Sequence, residues 1–492
     1  MNILLIYPEF PDTFWSFKHA LKFIRKKASF PPLGLLTVAT MLPTEWTKRL
    51  VDVNMTKLSD KYLEWADYVF ISSMVIQRAS AQQIIKRCKE AGVNIVAGGP
   101  LFTSEHEQFK DVDHFVLNEA ELTLPPFLED LKNGCAKRTY TTPQFANIRE
   151  TPAPLWELAD LNRYASMSIQ YTRGCPYQCE FCDVTALFGR RTRTKTAEQI
   201  IAELDTFYNL GWRGNVFFVD DNLIGNKKTL KKELLPALIK WQSDHAGITF
   251  NTEVSINLAK DEPLMHMMSE AGFNTVFVGI ETPDTVSLTE CGKKQNKNRD
   301  LVEDVRRIQR AGLQVQAGFI VGFDNDTPSI FQRQIDFIQK SGIVTAMVGL
   351  LQAPSGTKLY ERLKREGRLL GRMTGDNADG STNIIPNMDP DIFREGYKRI
   401  LRHIYSPENY YQRIMTLFKE YKSPKIKARI KFEHIVGLLC SICRLGILGK
   451  ERVQFWNLLF WTYFNRRELF PLAVTLAIYG YHFRKISELH IL

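Results

Sequence analysis

Short apolar runs alternate with helix-like stretches over residues 1–125. The runs NILLIYP, LVDVN, YVFISSM, NIVAGGP and HFVLNEAE are separated by amphipathic segments such as AQQIIKRCKEAG. This alternation predicts a parallel, doubly wound sheet. Ligands of such sheets lie beyond the C-terminal strand ends, so Ser72 and Ser73, then Gly98, Gly99 and Pro100, then Asn118 and Glu119, are expected to line one crevice. Gly98 and Gly99 would let the backbone approach that ligand closely. No GxGxxG follows the first run, where Tyr7 and Pro8 stand instead, which speaks against a nicotinamide or flavin dinucleotide site.

Residues 141–165 hold three prolines and no clear period, and are expected to form a surface linker between a first domain, 1–140, and a second, 166–370. From Ser168 the strand and helix alternation resumes with SIQYTRG, NVFFVDDN, ITFNTEVS, TVFVGIET, VQAGFIVGF and TAMVGLLQAP. Six such repeats imply a full or partial barrel with its chemistry at the C-terminal strand ends. Beyond residue 370 the pattern turns helical, giving a third domain, 371–492, rich in aromatic and basic residues. Its stretches 453–464 and 469–481 are too short to span a bilayer. They suit either an interfacial helix or a helical lid packed on the barrel.

Charge sharpens that picture. The formal net charge of +10 belongs to the last 102 residues, where 18 Lys or Arg face 8 Asp or Glu, so the other 390 residues balance. A general nucleic-acid affinity is therefore not expected, whereas the C-terminal segment is a candidate for an anionic surface. With 44 % apolar residues the chain buries a substantial core, and no uninterrupted apolar run is long enough for a membrane span. The start, MNILLIYPEF, lacks a basic region before its apolar run and reads as a buried strand, so a cytoplasmic protein is expected.

Eight cysteines are too few for a disulfide framework in 492 residues, but three of them fall in YTRGCPYQCEFCD. Cys175, Cys179 and Cys182 form a Cx3Cx2C array just past the first barrel strand, suited to three corners of an iron-sulfur cluster with one iron left open. Zinc is the competing reading, but structural zinc takes four ligands and the loop has no histidine. Cys88, Cys135, Cys291, Cys440 and Cys443 are distant in sequence and lack a matching spacing.

Cx3Cx2C after the first strand of a six-strand array resembles the radical S-adenosylmethionine (SAM) superfamily. The resemblance implies a [4Fe-4S] cluster whose open iron binds SAM and whose electron cleaves it to a 5′-deoxyadenosyl radical. It implies roles for further positions too. Phe181 would lie beside the adenine; Asp220, Asp221 and Asn222 would meet the methionine ammonium; Glu253 and Ser255 would meet the ribose; Glu281, in VFVGIET, would lie near the adenine; Gln352 opens the segment that closes the barrel.

Together with the N-terminal pattern, the chain resembles the cobalamin-binding branch of that superfamily. The implied architecture is a doubly wound, Rossmann-like cobalamin domain, a partial (βα)6 barrel and a C-terminal helical domain. The DxHxxG motif that supplies a cobalt-ligating histidine elsewhere is absent, so no axial ligand is named. The tail AVTLAIYGYHFRK resembles the extension of a subgroup that includes the hopanoid C-2 methylase. The expected activity is methylation of an unactivated carbon, of a hopanoid or other isoprenoid lipid, with flavodoxin or ferredoxin as electron donor and peripheral contact with the inner face of a membrane. Two alternatives stay open: a cobalamin-dependent cyclisation or rearrangement, and a tRNA modification.

Overall fold

The computed structural model describes residues 1–376, 378–423 and 432–491. Lys425, Lys427, Arg429 and Lys431 of the basic C-terminal segment lie outside the described residues.

Each apolar run of the first 125 residues is a strand: β1 (Asn2–Tyr7), β2 (Thr47–Asp52), β3 (Tyr68–Ser72), β4 (Asn94–Gly98) and β5 (His114–Val116), with a short β6 (Thr139–Tyr140) added beyond the expected set. All pair in parallel in the order β2-β1-β3-β4-β5-β6. The chain reverses direction across the sheet between β1 and β3, which opens a crevice above that pair. Two separate apolar clusters cover its faces, one around Ile71, Ile95 and Phe102, the other around Leu5, Phe70 and Phe127.

The second sheet contains β7 (Ser166–Ile169), β10 (Asn215–Phe218), β11 (Thr249–Val254), β12 (Phe273–Glu281), β13 (Gln314–Val321) and β14 (Ala346–Leu350). They pair in parallel in chain order and do not close on themselves, so the barrel is partial. Between β7 and β10 a two-stranded antiparallel hairpin, β8 (Thr172–Arg173) with β9 (Arg193–Thr194), brackets the cysteine loop.

Residues 141–165 are not simply draped on the surface. Trp156 is fully buried against Phe207, with ring centroids 4.6 Å apart, and the fully buried Tyr164 donates a hydrogen bond to Asp52 (2.9 Å). The proline-rich pattern hid these anchors because isolated aromatic residues carry no period.

The C-terminal helices Pro390–Ile404, Pro407–Glu420, Arg452–Asn465 and Phe470–His490 share one continuous core with the barrel. Helix Phe470–His490 takes in all of the stretch 469–481 but its first residue and buries Ala473, Leu476 and Ala477 of it, with Phe483 beyond, so that stretch is packing surface. Its Phe483 ring stacks on Phe14 at 4.1 Å, tying the chain end to the long segment after β1.

Candidate active site

The cysteine loop is shaped by glycine at two points. Gly174 has φ +89°, and a Cβ there would meet the carbonyl oxygens of Arg191 and Phe188 at 2.8 and 2.9 Å. Gly292 has φ +72° and packs on the Gln178 carbonyl in the same way. The loop is then clamped from outside. Glu180 accepts from Arg362 (2.7 Å), whose other nitrogen reaches Asp324 (2.6 Å), and the Leu359 amide donates to the Glu180 carbonyl. Burial works against an ionised Asp324, yet hydrogen bonds from Arg368 and Arg362 hold its carboxyl below the usual carboxylate range.

Cys175, Cys179 and Cys182 are free thiols on this loop, each half-buried. Burial raises the thiols of Cys175 and Cys182, so loading iron there means displacing protons. Among the described residues no three His, Cys, Asp or Glu converge on a single-ion position. Cys291, distant in sequence, is brought against the loop: its carbonyl accepts from the Glu180 amide at 2.9 Å. Its thiol points elsewhere, to the Leu288 carbonyl, within an apolar cluster that includes Phe323 and Leu351.

The residues read from the barrel strand ends gather near the same loop. Asp220 is fully buried and accepts from the Thr172 amide, while its second carboxylate oxygen has no partner in the protein. Burial pushes Asp220 up to about 7 and Asp221 up to about 6. Glu253 is pushed up to about 8 by burial, with Asp221 adding to the effect. Asn222 accepts from the Ser255 amide (3.1 Å), leaving the Asn222 Nδ2 and Ser255 Oγ buried and unpartnered. These orphaned donors and acceptors, beside carboxyls that ionise when a cation arrives, fit the polar, positively charged part of SAM.

Glu281 sits at a bulge in β12 with φ +64°, a conformation uncommon outside glycine, and forms an ion pair with Lys293 (2.5 Å). Gly279 makes this possible, because a Cβ there would collide with both partners. Burial opposes the charge on Lys293, but Glu281 and Cys179 hold its ammonium above the ordinary lysine value. The Phe181 ring lies 6.0 Å from the Lys293 Nζ and 6.1 Å from the Phe323 ring. Gln295 points its amide at the Cys179 sulfur, 3.9 Å away. Sequence reading missed Lys293 and Gln295, since the polar segment that follows helix Thr285–Glu290 has no period to mark it. Gln352 braces the loop above the barrel by donating to the Asp376 carbonyl (2.8 Å).

A cavity of about 650 Å³ lies between the two sheets. Ser72, Ser73, Gly99, Pro100 and Asn118 line it from the first sheet, and Ser168, Gln170, Phe217 and Met347 from the barrel. Its apolar wall comes from the segment after β1. Trp15 packs edge-on against Phe277 (5.5 Å) and Phe30 lies against Phe217 (5.4 Å). One expectation needs correction, and one residue takes on a second role. Gly98 does not line the cavity; a Cβ there would meet the Val116 carbonyl at 2.7 Å, so the glycine serves strand packing. Glu119 reaches the cavity wall, but its carboxylate is engaged by Arg193 (2.6 Å) and the Ala146 amide (2.6 Å), tying the first sheet to the cysteine hairpin. The space at the strand ends, with Gly99 at φ +89° against Ser72 and Ser73, suits a large flat cofactor with substrate beside it.

A model of the radical SAM superfamily matches residues 169–338, and one described as a domain of unknown function matches residues 357–491. The chain is 40 % identical to an uncharacterized methyltransferase of Synechocystis sp., over 99 % of this chain and 92 % of that one. It is 35 % identical to the hopanoid C-2 methylase of Rhodopseudomonas palustris, over 93 % of this chain and 88 % of that one. In fold it is similar to OxsB, a cobalamin-dependent S-adenosylmethionine radical enzyme solved with aqua-cobalamin bound. The TM-score is 0.64 at 14 % identity, over 99 % of this chain and 80 % of that one.

Proposed function

Because this chain belongs to the radical SAM superfamily, with relatives named as methyltransferases, we propose that it is a cobalamin-dependent methyltransferase acting on an unactivated carbon of a hopanoid or related isoprenoid lipid. The observation that carries the substrate reading is the cavity, whose wall of Trp15, Phe30, Phe217 and Met347 offers an apolar molecule a seat at the strand ends. The 35 % identity to hopanoid C-2 methylase points to the same substrate class.

When bound, the cluster, SAM and cobalamin supply radical hydrogen removal and the methyl group. The protein's residues do the rest. Cys175, Cys179 and Cys182 would hold the cluster, and Asp220, Asp221, Asn222, Glu253 and Ser255 would orient SAM above it. The Lys293–Glu281 pair stands beside that seat, and the apolar wall of the cavity would flank the reactive centre.

The lipid would reach the cavity from a membrane surface. No helix among the described residues is long and apolar enough to cross a bilayer. The outer faces of helices Phe432–Ser441 and Arg452–Asn465, with the turn between them, expose Phe432, Ile435, Leu439, Leu448, Phe460 and Phe464. Exposed Arg444, Lys450, Arg452 and Arg467 stand among them, the composition of a face that settles on anionic lipid.

Anaerobic assay of reconstituted protein with cobalamin, SAM, a strong reductant and a membrane-lipid extract tests the reading. Expected products are 5′-deoxyadenosine, S-adenosylhomocysteine and a lipid heavier by one methylene; Cys182→Ala abolishes all three while cobalamin still binds. 5′-Deoxyadenosine without S-adenosylhomocysteine would replace methylation by a rearrangement.

A further inference from the structure

Two short basic runs, 227–232 and 293–299, are far apart in the chain, and the ends of β10 and β12 bring them together. They meet around a surface recess of about 400 Å³ lined by Lys227, Lys260, Lys294, Lys297 and Arg299, together with Asn257 and Gln295. No carboxylate lines it. Asp261 and Asp300 adjoin lining residues in the chain but do not line the recess; Asp261 is paired with Lys231 (2.6 Å) and Lys227 (3.6 Å), and Asp304 with Arg299 (2.6 Å). Crowding of like charge is evident at Lys227, whose ammonium is lowered by burial and further by Lys231 and Arg299, against the pull of Asp261. Because the 390 residues before the C-terminal segment balance in charge, this patch is a local concentration of positive charge.

Its position gives it meaning. Gln295 lines the recess and also points its amide at the Cys179 sulfur. Asn257, on the opposite wall, hydrogen-bonds Tyr177 within the cysteine loop. The floor is rigid: Asn296 donates to the carbonyls of Gly279 and Ile280 (3.0 Å each), and Arg299 reaches the Ile256 carbonyl (3.2 Å). One side chain therefore separates the recess from a cluster ligand. A cluster bound there must receive electrons from outside the chain.

We propose that this recess is the docking site of a small acidic one-electron carrier protein. Resting on the radical SAM reading above, the step is a single electron passing from the carrier, which is oxidised, to the cluster, which is reduced, with no proton moved. Opposite charge steers the encounter and orients the carrier's redox group toward Cys179.

The test uses full-length, cluster-loaded protein with an acidic flavodoxin as probe, measuring binding by calorimetry at several salt concentrations and cluster reduction by loss of its visible absorbance. Wild-type affinity should fall steeply with salt. Lys260→Glu/Lys294→Glu/Lys297→Glu should bind roughly tenfold or more weakly and be reduced correspondingly slowly by flavodoxin. The same variant should be reduced by dithionite at the wild-type rate and bind SAM unchanged, which also shows that it folds; neutral Lys294→Gln/Lys297→Gln should fall between. Unchanged flavodoxin affinity overturns the proposal, as does parallel loss of SAM binding or of anionic-vesicle binding. A wild-type protein with no dithionite-reducible cluster would instead strike the radical SAM reading, while flavodoxin affinity would still decide the docking site.

Discussion

Glu253 shows how one residue couples burial to ligand chemistry. Its carboxyl is pushed from 4.5 up to about 8 by burial and by its neighbour Asp221. A raised acid is neutral in the folded protein and ionised in the unfolded chain at intermediate pH. Its stabilising contribution is therefore complete below about pH 4.5 and lost as pH rises through about 8. In cofactor-free protein, Glu253→Gln should flatten the decline of urea midpoint between those limits. SAM brings positive charge to this seat, so binding should release protons and tighten as pH rises toward 8. Calorimetry in buffers of different ionisation heat reads the release, and proton uptake would contradict the assignment.

At the same scale, the cysteine spacing was legible because it is local, and the strand-end carboxylates because each closes an apolar run. The ion pairing of Glu119 was not legible for the converse reason. The residue stands where a ligand group is expected, but its partners Arg193 and Ala146 come from other segments, and an ion pair between distant positions leaves no mark in a linear pattern.

Among elements, the helix Phe470–His490 has the largest indirect hold on the site. Phe483 stacks on Phe14, and Phe14 lines the cavity, so the last helix props the wall beside the candidate substrate seat. Phe483→Ala should cost about 3–5 kcal/mol by leaving a hole in a fully packed core. The expected signature is a lowered urea midpoint together with weaker binding of an apolar substrate, while the iron content after reconstitution stays unchanged. Equal loss of iron would mean that the helix supports the barrel as a whole. The apolar composition of 469–481 did not separate interfacial from packed helix, because both bury an apolar surface and differ only in what covers it. Helix Arg452–Asn465 divides between the two, with Phe455, Leu458 and Leu459 buried and Phe460 and Phe464 exposed.

For the whole molecule, the +10 charge and the exposed apolar face occupy the same C-terminal region. If that face meets a bilayer, sedimentation with phosphatidylglycerol-containing vesicles should recover the protein, and neutral vesicles or high salt should release much of it. Phe460→Asp/Phe464→Asp should abolish pelleting and leave dithionite-driven SAM cleavage intact. Persistence of pelleting in that variant would count against a lipid face on this helix.

The amino-acid sequence by itself determined the two parallel sheets, the order of their strands in the chain and the Cx3Cx2C loop. Strand periodicity and cysteine spacing act over a few residues and survive in one dimension. Tertiary structure decided that Lys293 and Gln295 stand beside the cysteines, that Glu119 ties the first sheet to the cysteine hairpin, and that the segment after β1 walls the cavity with Trp15 and Phe30. It also gathered two distant lysine runs into one recess. Such contacts depend on which strand ends meet, and that follows from packing the whole core at once.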